Sequence, residues 1–222
     1  QWHANGAVDA NFGTNGVATS GGLWPLDRPP GPSVSAMVVE PNGKITVAGG
    51  ASSGAVRHLL LARFNPEGTA DLSFGASGHV SLAVDGTVHA LVAQPDGRLV
   101  VAGETAEAAT GAGSCMTLWR FEVDGTVDPA FGVGGRSQAC SDTASGASAL
   151  LLQADGKLVA AGFGNDAATG RRFAQVTRFE ADGSSDVAFG STGSVRVSDR
   201  AGDVEALAVA VQSDGRLVVA GT

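Results

Sequence analysis

Acidic side chains are the residues best placed to do chemistry in this chain. Glu104, Glu107, Asp142, Asp166, Asp199 and Asp203 all fall in glycine-, serine- or threonine-bearing segments between apolar runs. Two such carboxylates meeting across a cleft could cleave a glycosidic bond, one as acid and one as base or nucleophile. They could also hold Ca²⁺, which wants six to eight oxygens. No dense Asp-rich loop is present, so Ca²⁺ is the one cofactor the pattern admits, and only weakly. Trp24, with Asp27 and Arg28 in the stiff stretch "TSGGLWPLDRPPGPS", could stack on a sugar ring or a partner's side chain. The alternative for Trp24 is a cap over the fold. Arg171 sits beside Arg172 in another such loop.

Other catalytic patterns are missing. His3, His58, His79 and His89 stand at no metal-ligand spacing. No serine stands with a placeable His and Asp for nucleophilic catalysis. "GNDAATG" (164–170) precedes a strand pattern rather than a helix, which excludes a phosphate-binding loop.

The elements that must position these loops are repeats. "EPNGKITVAG", "QPDGRLVVAG", "QADGKLVAAG" and "QSDGRLVVAG" place turn glycines at 43, 97, 156 and 215, which are 54, 59 and 59 positions apart. Proline presets φ, Asp or Asn bonds its own backbone and glycine accepts φ > 0, so each copy reads as a hairpin with three loop residues. A second phrase alternates with the first: "ARFNPEGTADLSFG", "WRFEVDGTVDPAFG" and "TRFEADGSSDVAFG". A three-residue loop there sets Arg63 opposite Asp71, Arg120 opposite Asp128 and Arg178 opposite Asp186, as structural ion pairs. Two hairpins in roughly 58 residues predict a four-stranded blade of an all-β propeller.

Three units lie complete, over 34–75, 87–132 and 146–190, within one domain spanning 1–222. The opening "QWHANGAVDANFG" reads as the second half of a unit and 204–222 as the first half. The expectation is a four-bladed ring closed by one blade shared between residues 1–13 and 204–222, which would remove exposed sheet edges. The alternative is a portion of a longer array. Tight glycine turns are expected on one face, and all long loops (14–33, 50–57, 76–86, 104–116, 133–145, 163–172 and 191–203) on the other.

Composition narrows the setting. A formal net charge of −8 and the lack of a clustered basic face argue against a nucleic-acid partner. No apolar run approaches the roughly 20 residues of a membrane span, and no signal peptide is present. Cys115 and Cys140 fall in loops on the same side of one blade, so a disulfide is expected, with two free thiols as the alternative. A disulfide implies an extracytoplasmic setting.

With these phrases in hand, the chain resembles the bacterial delta-60 repeat family of β-propellers, whose pattern "QPDGKxVVAG…RxNPDGxxDxxFGxxG" is met at 94–103 and 120–135. It resembles NHL-type blades more loosely. Gln1 for arginine, Asn42 for aspartate and Ala154 for proline are departures. The resemblance implies secreted or cell-surface bacterial proteins without assigned catalytic residues.

Function then follows from the irregular loops. The expected binding surface comprises Trp24, Asp27, Arg28, Glu104, Asp142, Asp166 and Arg171, facing a protein or glycan partner. Two alternatives are a secreted hydrolase or lyase with carboxylates at the channel mouth, and a self-assembling surface protein.

Overall fold

A computed structural model describes residues 1–19, 33–53, 56–106, 113–141, 143–199 and 202–222. The described elements are all β. The first sheet contains β1 (Ser33–Val39), β2 (Ile45–Ser53), β3 (Val56–Phe64) and β4 (His79–Ala83), hydrogen-bonded in that order. The second contains β5 (Gly86–Ala93), β6 (Leu99–Ala106), β7 (Ser114–Phe121) and β8 (Arg136–Ala139). The third contains β9 (Ser145–Leu152), β10 (Leu158–Asn165), β11 (Arg172–Phe179) and β12 (Ser194–Val197). A fourth sheet has only β13 (Ala206–Val211) and β14 (Leu217–Gly221). Every pairing within these sheets is antiparallel.

The "VAG" ending of the first phrase has a steric cause. Strands β1, β5, β9 and β13 each carry a register shift, as between Val88 and Ala90. There the backbone closes so tightly that a Cβ on Gly103 would stand 1.9 Å from Thr87 O. Only glycine fits. The middle strands are apolar on both faces because sheets cover them from both sides: Leu99–Ala102 and Met116–Phe121 are buried throughout.

The innermost strands stack in a row, β1 on β5, β5 on β9 and β9 on β13. Between the first two sheets lie Leu59, Leu61, Phe74, Val101 and Phe121, and between the next two Met116, Leu118, Phe131, Leu158 and Phe179. Each such cluster buries aromatic and aliphatic groups at about 1.5–3 kcal/mol per side chain.

Two expectations about the units need correction. The fourth strand of each sheet lies beyond the second phrase, inside the segments 76–86, 133–145 and 191–203 that read as loops. Residues 65–78 are instead a compact connection: Asp71 Oδ1 accepts the Ser73 amide, and Phe74 turns inward and is fully buried. The alternating pattern that makes a strand resumes only at "HVSLA". The face expected to carry tight turns alone therefore also carries these connections and their buried polar groups.

The shared blade is not formed either. Trp2 bridges Val8 within its own segment, and among the described residues no strand pairs with the free edge of β14. Residues 1–17 pack on the first sheet instead, Gly13 N donating to Glu67 O at 2.7 Å. Val34, Met37 and Val39 of β1 are exposed. Among the described residues no strand pairs with the free edge of β1 or of β14.

Candidate functional site

On the turn face the polar residues form one motif built three times. Arg63 Nε donates to Asp71 Oδ2, Arg120 Nε to Asp128 Oδ2 and Arg178 Nε to Asp186 Oδ2, each at 2.7 Å. Each guanidinium also lies over the phenylalanine that ends its phrase: Arg63 on Phe74 at 4.2 Å, Arg120 on Phe131 and Arg178 on Phe189 at 4.6 Å. The residue after the first-phrase glycine joins the group in three of the four copies. Lys44 Nζ reaches Asp71 at 2.7 Å, Arg98 Nε lies 3.7 Å from Asp128, and Lys157 Nζ bonds Asp186 at 2.8 Å. Sequence reading missed this third member, although "NGK", "DGR" and "DGK" repeat a cation at that place.

These contacts set the carboxyl groups' protonation. Burial alone would raise Asp71, but hydrogen bonds from Lys44, Ser73 and Arg63 outweigh it and hold the group well below the usual carboxylate range. Burial likewise opposes the lowering at Asp128, where the Ala130 amide and Arg120 prevail. At Asp186 the Lys157 hydrogen bond dominates, and the carboxyl is again lowered. Such permanently ionised, internally paired groups are poor proton donors near neutral pH.

The motif also joins sheets. Arg63 Nη1 donates to Val123 O at 2.6 Å and Arg120 Nη1 to Ala181 O at 2.5 Å, each in the next repeat's turn. Gly75 N donates to Asp124 O and Gly132 N to Asp182 O, both at 2.7 Å. A Cβ on Gly125, at φ +89°, would meet the Phe74 ring at 3.0 Å, so this turn position needs glycine for conformation and for space.

The opposite face holds Glu104, Asp166 and Arg171. Trp24, Asp27, Arg28 and Asp142 lie outside the described residues. Glu104, at the end of β6, accepts from Thr87 at 3.3 Å and from Ser114 at 3.4 Å. Asp166 accepts from Arg196 Nη2 at 2.5 Å and from the Thr169 amide and hydroxyl at 2.8 and 2.9 Å. Arg196 first, then Thr169, lowers its pKa to about 2. Glu104 and Asp166 are thus in different sheets and each is engaged locally.

Asp166 and Arg171 do share a cleft of about 230 Å³, with Thr169, Arg172, Arg196 and Asp199. Arg172 lies over Phe163 at 4.2 Å and bonds Glu205 at 2.8 Å, while Arg196 lies over Phe173 at 3.9 Å. Three arginines therefore converge at one edge of the third sheet, two of them stacked on aromatic rings. Only Arg171 was singled out from the sequence. Arg196 was hidden because its strand read as loop.

A second cleft of about 380 Å³ brings Arg57 and His58 of the first sheet beside Thr87 and His89 of the second. His58 Nδ1 contacts Ser81 at 3.1 Å and His89 Nε2 contacts Thr87 at 2.9 Å. The two histidines are 31 positions apart in the chain, so spacing alone did not associate them. Among the described residues no group of three His, Cys, Asp or Glu side chains is arranged to hold a metal ion. No helix among them is long and apolar enough to cross a membrane.

Cys115 and Cys140 are joined by a disulfide with Cα atoms 4.4 Å apart, tying β7 to the residue after β8. Four-stranded antiparallel sheets, stacked by their inner strands and locked through repeated turn phrases, decide the architecture. The fold is a β-propeller. Three segments of the propeller, 40–74, 94–131 and 153–189, match the family described as "Domain of unknown function (DUF5122) beta-propeller". These are the stretches from each first turn to the phenylalanine of each second phrase. No curated protein matches the propeller's sequence. Among solved structures it is similar to an endo-arabinase from Bacteroides thetaiotaomicron VPI-5482, at 15% identity and a TM-score of 0.46, over 86% of this chain and 68% of that one.

Proposed function

We propose that this propeller is a non-enzymatic extracellular binding module of a bacterial surface or secreted protein, of the delta-60 type, and that it presents its loop face to a protein or glycan. The observation that carries this reading is the state of Asp166. A hydrolase needs a carboxyl group able to donate or accept a proton near neutral pH. Asp166 is instead held ionised by Arg196, in a cleft where Arg172 and Arg196 are each stacked on a ring and paired with a carboxylate. Arginines stacked on aromatic rings suit recognition of carboxylate or other anionic groups, on an acidic peptide or an acidic sugar, by bidentate hydrogen bonding. The disulfide supports an oxidising setting.

The test is a binding measurement with immobilised chain against acidic and neutral oligosaccharides and acidic peptides, with Arg171→Ala and Arg196→Ala variants alongside. The expected result is saturable binding to an anionic probe that falls about tenfold or more in each variant, as for loss of a charge-assisted contact worth 1.5–3 kcal/mol. Turnover of a glycoside, ester or peptide that Glu104→Gln or Asp166→Asn abolishes would overturn the reading in favour of a hydrolase.

A further inference from the structure

The cleft beside His58 and His89 lies between the first two four-stranded sheets, and the chain holds two other versions of it. Between the third sheet and β13, Arg172 Nη1 donates to Glu205 Oε2 and Ser148 Oγ to Glu205 Oε1, each at 2.8 Å. Between the second and third sheets the Glu104 carboxylate takes that place. Its Oε2 lies 2.9 Å from a Cβ built on Gly146, which holds the repeat position of Glu205. The same oxygen accepts from Ser114, at the repeat position of Arg172, at 3.4 Å. Each of these boundaries encloses a carboxylate of the chain itself.

Strand register assigns the counterparts at the first boundary. Arg57 pairs with Ser52 as Arg172 pairs with Asn165. Ser35 is the residue skipped by the register shift of β1, as Ser148 is in β9. Thr87 precedes Val88 as Glu205 precedes Ala206. Gly50 follows the tightly enclosed Gly49 as Glu104 follows Gly103. Arg57 and Ser35 therefore repeat the pair that grips Glu205, whereas both acid positions carry short residues, Gly50 and Thr87. All four line the cleft of about 380 Å³. Among the described residues no carboxylate lines it, and none is paired with Arg57.

We propose that this cleft binds the carboxylate of an acidic sugar, a hexuronic acid unit, where Glu104 and Glu205 stand at the other boundaries. Arg57 donates to the ligand as Arg172 does to Glu205, and Ser35 donates as Ser148 does. His58, His89 and Thr87 border the same space. A hydroxyl or a neutral imidazole both donates and accepts, which suits the ring hydroxyls of a sugar. The volume falls in the range of small-ligand sites. A net charge of −8 repels anions from most of the surface, so a carboxylate is held only where cations stand without acids. The site is apart from the Asp166 cleft and stands independently of it.

Calorimetric titration of the full 222-residue chain with trigalacturonate tests this, beside its methyl ester and an acidic peptide of equal charge. The intact chain is expected to bind trigalacturonate saturably and the ester about tenfold or more weakly, because a charge-assisted contact is lost. Arg57→Ala should weaken trigalacturonate binding by the same factor, and since Arg57 is exposed the variant keeps its fold. Gly50→Glu returns a carboxylate to the cleft and should abolish binding. A Cβ there meets only His58 O at 3.6 Å, an ordinary contact, so this second variant is accommodated. Absence of saturable binding, equal binding of the ester, or preference for the acidic peptide overturns the proposal. So does binding that Arg171→Ala or Arg196→Ala removes and Arg57→Ala does not, a result that leaves the binding-module reading standing at the other cleft.

Discussion

Arg63 of the first sheet donates to the backbone carbonyl of Val123, sixty positions later, at 2.6 Å while the same guanidinium is paired with Asp71 and stacked on Phe74. One side chain thus holds its own connection closed and anchors the next repeat's turn. Arg120 does the same toward Ala181.

Removing one of these arginines should be costly. The Arg63 and Arg120 side chains are only 2% and 7% exposed, and deleting one partner of a buried pair typically costs about 3–5 kcal/mol. Arg63→Met and Arg120→Met are expected near that range in denaturant unfolding, and Arg178→Met well below it, because Arg178 is 24% exposed. Adding Asp128→Asn to Arg120→Met should recover part of the loss by removing the stranded charge.

Acid should loosen the same motif. The carboxyls of Asp71, Asp128 and Asp186 are all lower in the folded chain than in an unfolded one. Their contribution is fully present above the ordinary carboxylate value and is lost as pH falls through the folded values. Thermal midpoints are expected to hold steady from about pH 7 to 5 and to drop progressively below about pH 4. Arg120→Met with Asp128→Asn should show a shallower drop.

Reduction of the disulfide should destabilise the second sheet. Its closed loop spans 25 positions, for which the chain-entropy relation gives about 3.5 kcal/mol. The Cys115→Ser, Cys140→Ser double variant is expected to unfold at correspondingly lower denaturant concentration, and reductant should then have no further effect on it.

Glycines of one repeat position should respond differently to alanine. Gly125→Ala combines a left-handed backbone with collision against Phe74 and the Gly75 amide, and should cost more than the roughly 1–2 kcal/mol of backbone strain alone. Gly6→Ala, at φ +83° and with no described atom within 4 Å of the added Cβ, should show the strain alone. Calorimetry of both variants at low concentration checks the contrast.

The sequence by itself determined the first-phrase hairpins, the repeating all-β unit and the opposition of Arg63 to Asp71. Those depend on local turn chemistry and on period-two patterning, which act over a few residues. The pairing of Cys115 with Cys140 was legible because both read as lying on the same side of one unit, although Cys115 is inside β7 rather than in a loop. Position 79–83 was not legible as a strand, since five residues with one polar alternation resemble a loop until a neighbouring strand offers hydrogen bonds.

Tertiary structure alone decided where Phe74 packs, what Arg63 reaches in the next repeat and which side chains share a cleft with Asp166. It also decided that residues 1–17 dock on the first sheet rather than complete the fourth. A repeat phrase carries the same donors and apolar groups in every copy, so it states what kind of partner it needs but not which copy supplies it. That choice rests on how sheets stack in space, and stacking is settled by the fit of side chains such as Leu59, Phe74 and Phe121 from distant parts of the chain.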